Sequence, residues 1–258
     1  MLNIIFLLFI ITPVYSYPTI LIHGIASNSN ELNDMYNFLI NNNIETYNIE
    51  IGNGKIDSIF MDMNKQCDIF ANNINNLNIS TKINIIGVSQ GGLIARCYVE
   101  RYSKNNINTL ITLGSPHMGY YESSLSFNNL GYWKDPFNYN KYLDTNDFLK
   151  YINNDIVHDS FNLYKLNMVN INNFILIWSN IDTVIKPLES SMFEFYNINI
   201  AETKKELVIE SLTNSSVYTN LGLNKINLII KQFNCPHDEF KKIYCFENIF
   251  NFINYTLY

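Results

Sequence analysis

Glycine is scarce in this chain, with 10 in 258 residues alongside 6 prolines, 4 cysteines and 2 tryptophans. Charge is scarce too: Asp, Glu, Lys and Arg make up 16% of the residues, against roughly 25% in an average globular domain. The 17 Lys and Arg face 23 acidic residues, for a formal net charge of −6, and the basic residues are scattered. That excludes a phosphate-tracking surface, so no nucleic-acid partner is expected. Cys-x-x-Cys pairs and His/Cys clusters are missing, which argues against a structural zinc; no metal and no cofactor is expected. No apolar run after the first eleven residues reaches about 18 residues, so the mature chain is expected to have no stable membrane span and to be soluble. Asparagine stands where charge is missing, as in Asn41-Asn42-Asn43. Ile and Phe interrupt these runs at folding periods, and the excess reads as compositional drift rather than as a device.

What is present begins with an apolar run, Ile4 to Ile11, broken at Pro13 and followed by Val14-Tyr15-Ser16. This has the shape of a secretory signal over residues 1–16, leaving 17–258 as the mature domain. An n-region without Lys or Arg leaves an uncleaved anchor as the alternative. The four cysteines, Cys67, Cys97, Cys235 and Cys245, are even in number, and the pairing expected is Cys67 with Cys97 and Cys235 with Cys245. Sequons at Asn78, Asn214 and Asn254 point to the same oxidising compartment, although sequons also arise by chance in so Asn-rich a chain.

Short apolar runs alternate with helical spacings. Strands are predicted at Thr19–Ile22, Thr46–Ile51, Ile83–Ile86, Thr109–Leu113, Phe174–Trp178 and Lys225–Ile230. Helices are predicted along Leu32–Ile40, Asp57–Leu77, Gly92–Tyr102 and the C-terminal end. This is the pattern of an α/β protein, a doubly wound, mostly parallel sheet covered on both faces. Residues of about 120–170 break the pattern: dense in aromatics and carrying helical fragments, they read as an insertion within one domain.

Gly87-Val88-Ser89-Gln90-Gly91 matches the nucleophile elbow G-x-S-x-G and lies where that motif must lie, between a strand and a helix. Gly24, Gly87, Gly91, Gly92, Gly114 and Gly119 all fall at the carboxyl ends of predicted strands, the edge where doubly wound sheets build sites. A serine hydroxyl needs a base, and the base needs a carboxylate to orient it. The hydrolase chain order of Ser, acid, His selects His237, which follows the last predicted strand. Asp182 lies just beyond the strand that follows the insertion and is the candidate acid; its other reading is an Asx turn. The N–H of Gln90, at a helix start, and that of Ile25, in the loop after the first strand, are the expected oxyanion donors. His23 is read as loop-shaping, His117 as structural or pocket wall, and His158 as a surface residue.

The stretch Gly87-Val88-Ser89-Gln90-Gly91-Gly92-Leu93-Ile94-Ala95-Arg96 and the box Gly114-Ser115-Pro116-His117-Met118-Gly119 resemble the palmitoyl-protein thioesterase family. So do Tyr132-Trp133-Lys134-Asp135-Pro136, residues 180–196 and Glu50-Ile51-Gly52. The resemblance implies an α/β-hydrolase fold, a Ser89–Asp182–His237 triad, and oxyanion donors at Ile25 and Gln90. It also implies a lysosomal enzyme that removes long acyl groups from cysteine thioesters, with S-palmitoylated proteins or peptides as substrates. A monomer delivered to the lysosome or secreted is expected. A palmitoyl chain carries about fifteen methylenes worth roughly 0.8 kcal/mol each when buried, so an aromatic groove would supply most of the binding energy. Trp133, Phe137 and Ile152 are the expected wall residues; simple packing of a helical cap is the other reading of these aromatics. A secreted lipase or carboxylesterase acting on oxygen esters would use the same triad, and a non-catalytic acyl-chain binder would be expected to lack part of it.

Overall fold

The computed structural model describes residues 15–104, 106–122 and 131–258. Apart from Tyr15 and Ser16, the segment read as a signal peptide lies outside them. In chain order the first half holds β1 (Thr19–Ile22), α1 (Asn33–Asn41), β2 (Thr46–Ile49), α2 (Lys55–Phe60), α3 (Met63–Asn76), β3 (Ile83–Val88), α4 (Gln90–Tyr102) and β4 (Ile107–Leu113). Then come α5 (Tyr139–Thr145), α6 (Leu149–Ile152), α7 (Phe161–Val169), β5 (Asn173–Trp178), β6 (Phe195–Tyr196), α8 (Ile198–Lys204), β7 (Ile209–Glu210), α9 (Ser216–Asn220), β8 (Asn227–Gln232) and α10 (Ile243–Ile253). Six strands form one all-parallel sheet in the order β2-β1-β3-β4-β5-β8.

Successive side chains of a strand point to opposite faces, and in the central strands β1, β3, β4 and β5 both faces are dry. Ile20, Ile22, Ile85, Leu110, Phe174 and Leu176 join Phe70 of α3, Leu93 and Ile94 of α4 and Met168 of α7 in one core. Leu21, Ile86, Ile111, Ile175 and Ile177 join Met35 and Leu39 of α1 and Phe246 and Ile249 of α10 in the other. The strand order reverses at β1 and β3. Their carboxyl ends therefore open a crevice, the usual place for a ligand in such a sheet.

At the opposite end of the sheet the asparagines have work that their number alone did not reveal. Asn108 Nδ2 donates to Asn84 Oδ1 at 2.8 Å and to the Thr256 carbonyl at 2.7 Å. Asn172 Nδ2 donates to Asn108 Oδ1 at 2.9 Å, and Asn227 Nδ2 to Asn173 Oδ1 at 2.8 Å. Asn84 Nδ2 reaches the Leu257 carbonyl at 3.0 Å. Neutral amides, each both donor and acceptor, thus cross-link the strand starts and hold the C-terminal turn against them.

Two segments depart from the sequence-based expectation. The helix expected over 57–77 is broken between α2 and α3, because the Asp62 side chain accepts from the Asn64 and Lys65 N–H groups at 2.9 and 3.2 Å and caps a new helix. A second excursion, between β5 and β8, holds α8, α9 and the antiparallel β6–β7 pair. Lys134 ties it to the first excursion: its buried ammonium lies 3.6 Å from Asp155 and 5.4, 5.1 and 5.3 Å from the ring centres of Tyr139, Tyr142 and Phe195. No described helix is long and apolar enough to cross a membrane.

The disulfides are Cys67–Cys97, which joins α3 to α4, and Cys235–Cys245, which joins the loop after β8 to α10. The first closes a span of 30 residues and the second a span of 10. On loop-closure entropy, replacing Cys67 and Cys97 by Ala is expected to cost about 3.5 kcal/mol in urea unfolding, and the Cys235/Cys245 pair about 2.5 kcal/mol. Equal costs for the two pairs would show that strain or unfolded-state structure, not span, sets their contribution.

Candidate active site

Each strand that ends at the crevice delivers one chemical group. β3 runs into Ser89, whose backbone takes φ 54 and ψ −124. A non-glycine residue held there is strained by an amount on the order of 1–3 kcal/mol, and the surroundings must enforce it. They do so in part through the Ser89 N–H, which donates to the Leu113 carbonyl at 2.8 Å. His237 Nε2 lies 3.0 Å from Ser89 Oγ, and His237 Nδ1 lies 2.7 Å from Asp182 Oδ2. Asp182 Oδ1 accepts from the Val184 and Ile185 N–H groups at 2.8 and 3.0 Å, so its orientation is set by the loop after β5. One Asp182 oxygen thus makes the Asx turn, while the other meets His237. Ser89, Asp182 and His237 are buried to a similar degree, 8, 6 and 8% exposed. This constellation can move a proton from the serine hydroxyl to an imidazole whose tautomer is held by a carboxylate.

Ser89, His237, Gly24, Ile25 and Val184 line one small cleft of about 230 Å³. Gln90 is the first residue of α4, so its N–H has no carbonyl one turn back to bond. Ile25, in the loop after β1, shares the cleft with Ser89, and Gln90 follows Ser89 at the start of α4. The Gln90 side chain turns away and is fully engaged. Its Nε2 donates to the Ser58 carbonyl at 2.8 Å and to Gln66 Oε1 at 3.1 Å, and its Oε1 accepts from the Tyr132 hydroxyl at 3.1 Å. Sequence reasoning had no signal for Ser58 or Gln66, and Tyr132 stood out only as part of a quoted motif.

On the far side of Gln90 a second cleft, of about 220 Å³, runs between the start of α3 and the first excursion. Met61, Met63, Trp133 and Phe148 are part of its lining, but most of the residues around it are polar, among them Asp62, Gln66, Asp135, Lys141 and Asp147. Of the three residues expected to form an acyl groove, only Trp133 lines it. Phe137 is half-buried, with its ring 6.0 Å from that of Tyr121. Ile152 is completely buried, part of the core behind α4, with its carbonyl 3.5 Å from Arg96 Nη1. The aromatic-rich insertion spends much of its apolar surface on its own packing.

The remaining histidines are structural. His23 is buried, with Nδ1 3.0 Å from the Gly24 carbonyl and Nε2 2.8 Å from Glu50. His117 is fully buried, stacked 4.6 Å from Phe193, with Nε2 2.8 Å from Thr112 Oγ1; burial first, and Arg96 second, hold it well below the usual imidazole range and hence neutral. His158 is half-buried rather than on the surface, bonded to Asn154 Oδ1 at 2.9 Å and edged by Tyr151 and Tyr164. Asn78 and Asn214 are exposed and Asn254 is half-exposed. Among the described residues no group of three or more His, Cys, Asp or Glu is placed to hold a metal ion.

Taken together, the all-parallel sheet, the strained serine between β3 and α4, and the acid and histidine after β5 and β8 define an α/β hydrolase. Solved structures agree on that fold: Bacillus licheniformis lipase BlEst2 superposes with a TM-score of 0.56 at 14% identity, covering 94% of this chain and 93% of that one. A monoacylglycerol lipase from Paleococcus ferrophilus gives 0.55 at 15% identity, covering 94% and 96%. The chain belongs to the palmitoyl protein thioesterase family, whose sequence description matches residues 18–232. Palmitoyl-protein thioesterase 3 of Dictyostelium discoideum is 32% identical over 203 residues, 69% of this chain and 70% of that protein. Lysosomal thioesterase PPT2-B of Xenopus laevis is 28% identical over 208 residues, 70% and 72% of the two chains.

Behind the site, Arg96 and Glu100 of α4 lie 3.7 Å apart with no exposure at all. Burial pushes the Glu100 carboxyl up to about 8, outweighing the pull of Arg96 and Arg101. Arg96 Nη2 instead donates to Asn153 Oδ1 at 2.7 Å and to the His117 carbonyl at 3.3 Å, and the guanidinium lies over the face of Phe193, while its Nε is left without a partner. The folded chain therefore keeps a proton on Glu100 that the unfolded chain, with its ordinary value of 4.5, gives up. Stability from this group is full below the unfolded value and is lost as pH rises towards the folded one. The urea midpoint is expected to rise on acidification from about pH 8 to about pH 5, and Glu100→Gln is expected to flatten that stretch of the profile. An unchanged slope in the variant would show that Glu100 is ionised in the folded protein.

Proposed function

We propose that the chain is a serine thioesterase that releases long-chain fatty acids from S-acylated cysteines of proteins or peptides. One observation carries the reading: the unbroken Asp182–His237–Ser89 chain of contacts, 2.7 and 3.0 Å long, at the sheet's switch point. In the first half-reaction His237 Nε2 takes the proton from Ser89 Oγ as that oxygen attacks the thioester carbonyl. The Ile25 and Gln90 N–H groups receive the tetrahedral oxyanion, and Asp182 holds the imidazole in the tautomer that can accept at Nε2. The C–S bond breaks, and the cysteine sulfur leaves with the proton from His237. In the second half-reaction His237 deprotonates water, which attacks the acyl-Ser89 ester; the acyl C–Oγ bond breaks, Ser89 Oγ takes the proton back from His237, and the fatty acid is freed. The cleft beside Gln90 takes the acyl chain along Trp133, Met61, Met63 and Phe148, between α3 and residues 131–148 of the insertion.

Family membership supports the thioester as the scissile bond, since the relatives are named as thioesterases. The N-terminal apolar run, the two disulfides, the exposed sequon asparagines and the lysosomal label of the Xenopus relative support passage through the secretory pathway to the lysosome or beyond.

Protein purified from the secretory pathway is expected to hydrolyse a palmitoyl thioester, and Ser89→Ala is expected to lower kcat by about 10⁴-fold or more. Folded wild type that is silent on thioesters of every chain length but turns over the matching oxygen esters would replace this reading with that of a lipase or carboxylesterase.

A further inference from the structure

The second oxyanion donor belongs to a residue whose side chain reaches away from the reaction and into a buried polar junction. Gln90 is 1% exposed, Gln66 1% and Tyr132 5%. The junction collects three separate segments onto one side chain: the Ser58 carbonyl of α2, Gln66 of α3 and the Tyr132 hydroxyl of the first excursion. Gln66 is itself fixed, its Nε2 donating to the Met61 carbonyl at 2.8 Å. Tyr132 is held by its backbone, whose carbonyl accepts from the Tyr120 N–H at 2.8 Å.

The position of this junction matters because of what lies between it and the reaction. The peptide plane carrying the Gln90 N–H follows the strained torsions of Ser89. Relaxing that strain would rotate the plane and turn the N–H away from the oxyanion. A side chain tied at both its donor end and its acceptor end opposes the rotation, since each buried hydrogen bond would have to break with no water to replace it. Gln90, Gln66, Met61 and Trp133 also line the cleft proposed for the acyl chain, and Tyr132 immediately precedes Trp133.

We infer that Tyr132 and Gln66 are positioning residues for the oxyanion hole: they clamp the Gln90 side chain and so aim its backbone N–H, joining the acyl-chain cleft and the oxyanion hole through one buried junction. The inference rests on the Ser89 mechanism proposed above and adds residues to it. Tyr132 and Gln66 touch neither the reacting carbonyl nor the leaving sulfur, so their effect falls on stabilisation of the transition state and not on binding of the ground state.

The test compares wild type, Tyr132→Phe and Gln66→Met by steady-state kinetics on a palmitoyl thioester and by affinity for two ligands. One is a palmityl trifluoromethyl ketone, which adds Ser89 Oγ to its carbonyl carbon and places an oxyanion in the hole. The other is the uncleavable palmityl thioether, which only fills the cleft. Each variant is expected to lose kcat by about tenfold with KM changed less than about twofold, the scale of one hydrogen bond made in the transition state. Affinity for the ketone should fall by the same factor as kcat/KM and thioether affinity stay close to wild type, while the thermal midpoint falls by only a few degrees and the variants stay folded. Either variant alone decides the question if the other fails to fold. Wild-type kcat and ketone affinity in a folded variant would overturn the clamp, as would a loss confined to KM and thioether binding. A wild type that neither turns over the thioester nor takes the ketone would instead refute the functional reading beneath it.

Discussion

The fold and the site meet at a contact between backbones that tolerates no side chain. A Cβ on Gly91 would lie 2.5 Å from the His23 carbonyl oxygen and 2.6 Å from that of Ile22. A Cβ on Gly87 would lie 2.5 Å from the Cα of Gly92. Because these atoms are missing, the first turn of α4 closes onto the end of β1 and the end of β3 folds back beneath it. That approach puts Ser89 on a sharp turn at the start of α4, in a cleft that Ile25 also lines. In a chain with 10 glycines, their concentration at this one edge is the signature of a steric requirement.

Around that contact the remaining parts are supplied from a distance and locked locally. Asp182 arrives after β5 and is held by two amides of its own loop; His237 arrives after β8, two residues beyond a cysteine bonded into α10. The Asp182 loop is also tied to the start of the insertion, where the Tyr121 N–H donates to the Lys186 carbonyl at 2.7 Å. Under the proposed mechanism the insertion contributes through the Tyr132 hydroxyl, which makes acyl binding and oxyanion stabilisation share one support. The buried Arg96, a charge with mostly neutral partners, joins α4 to Asn153 and His117 and holds the first excursion against the catalytic helix.

The sheet and the identity of the three candidate catalytic residues were legible because both rest on local signals: apolar runs of strand length, a glycine-framed serine, and an acid and a histidine placed just beyond the right strands. The break before α3 was not, since the periodicity of Ile59, Met63, Cys67 and Phe70 continues smoothly across it and only the capping of Asp62 interrupts the helix. The β6–β7 pair escaped because two-residue strands carry no alternation to detect. Ile152 was misread as cleft wall since composition shows that an insertion is apolar without showing which side chains face inward; the core behind α4 claimed it. The Gln66–Gln90–Tyr132 junction joins residues distant in sequence and leaves no periodic trace. The asparagine ladder at the strand starts was hidden by the very abundance of asparagine.

The most direct test of the account is a crystal structure of the protein after reaction with a hexadecyl fluorophosphonate. Phosphorus is expected bonded to Ser89 Oγ, with the phosphoryl oxygen between the Ile25 and Gln90 N–H groups and the alkyl chain running past Gln90 along Trp133. Phosphorus on another residue, or a phosphoryl oxygen turned away from both amides, would contradict it.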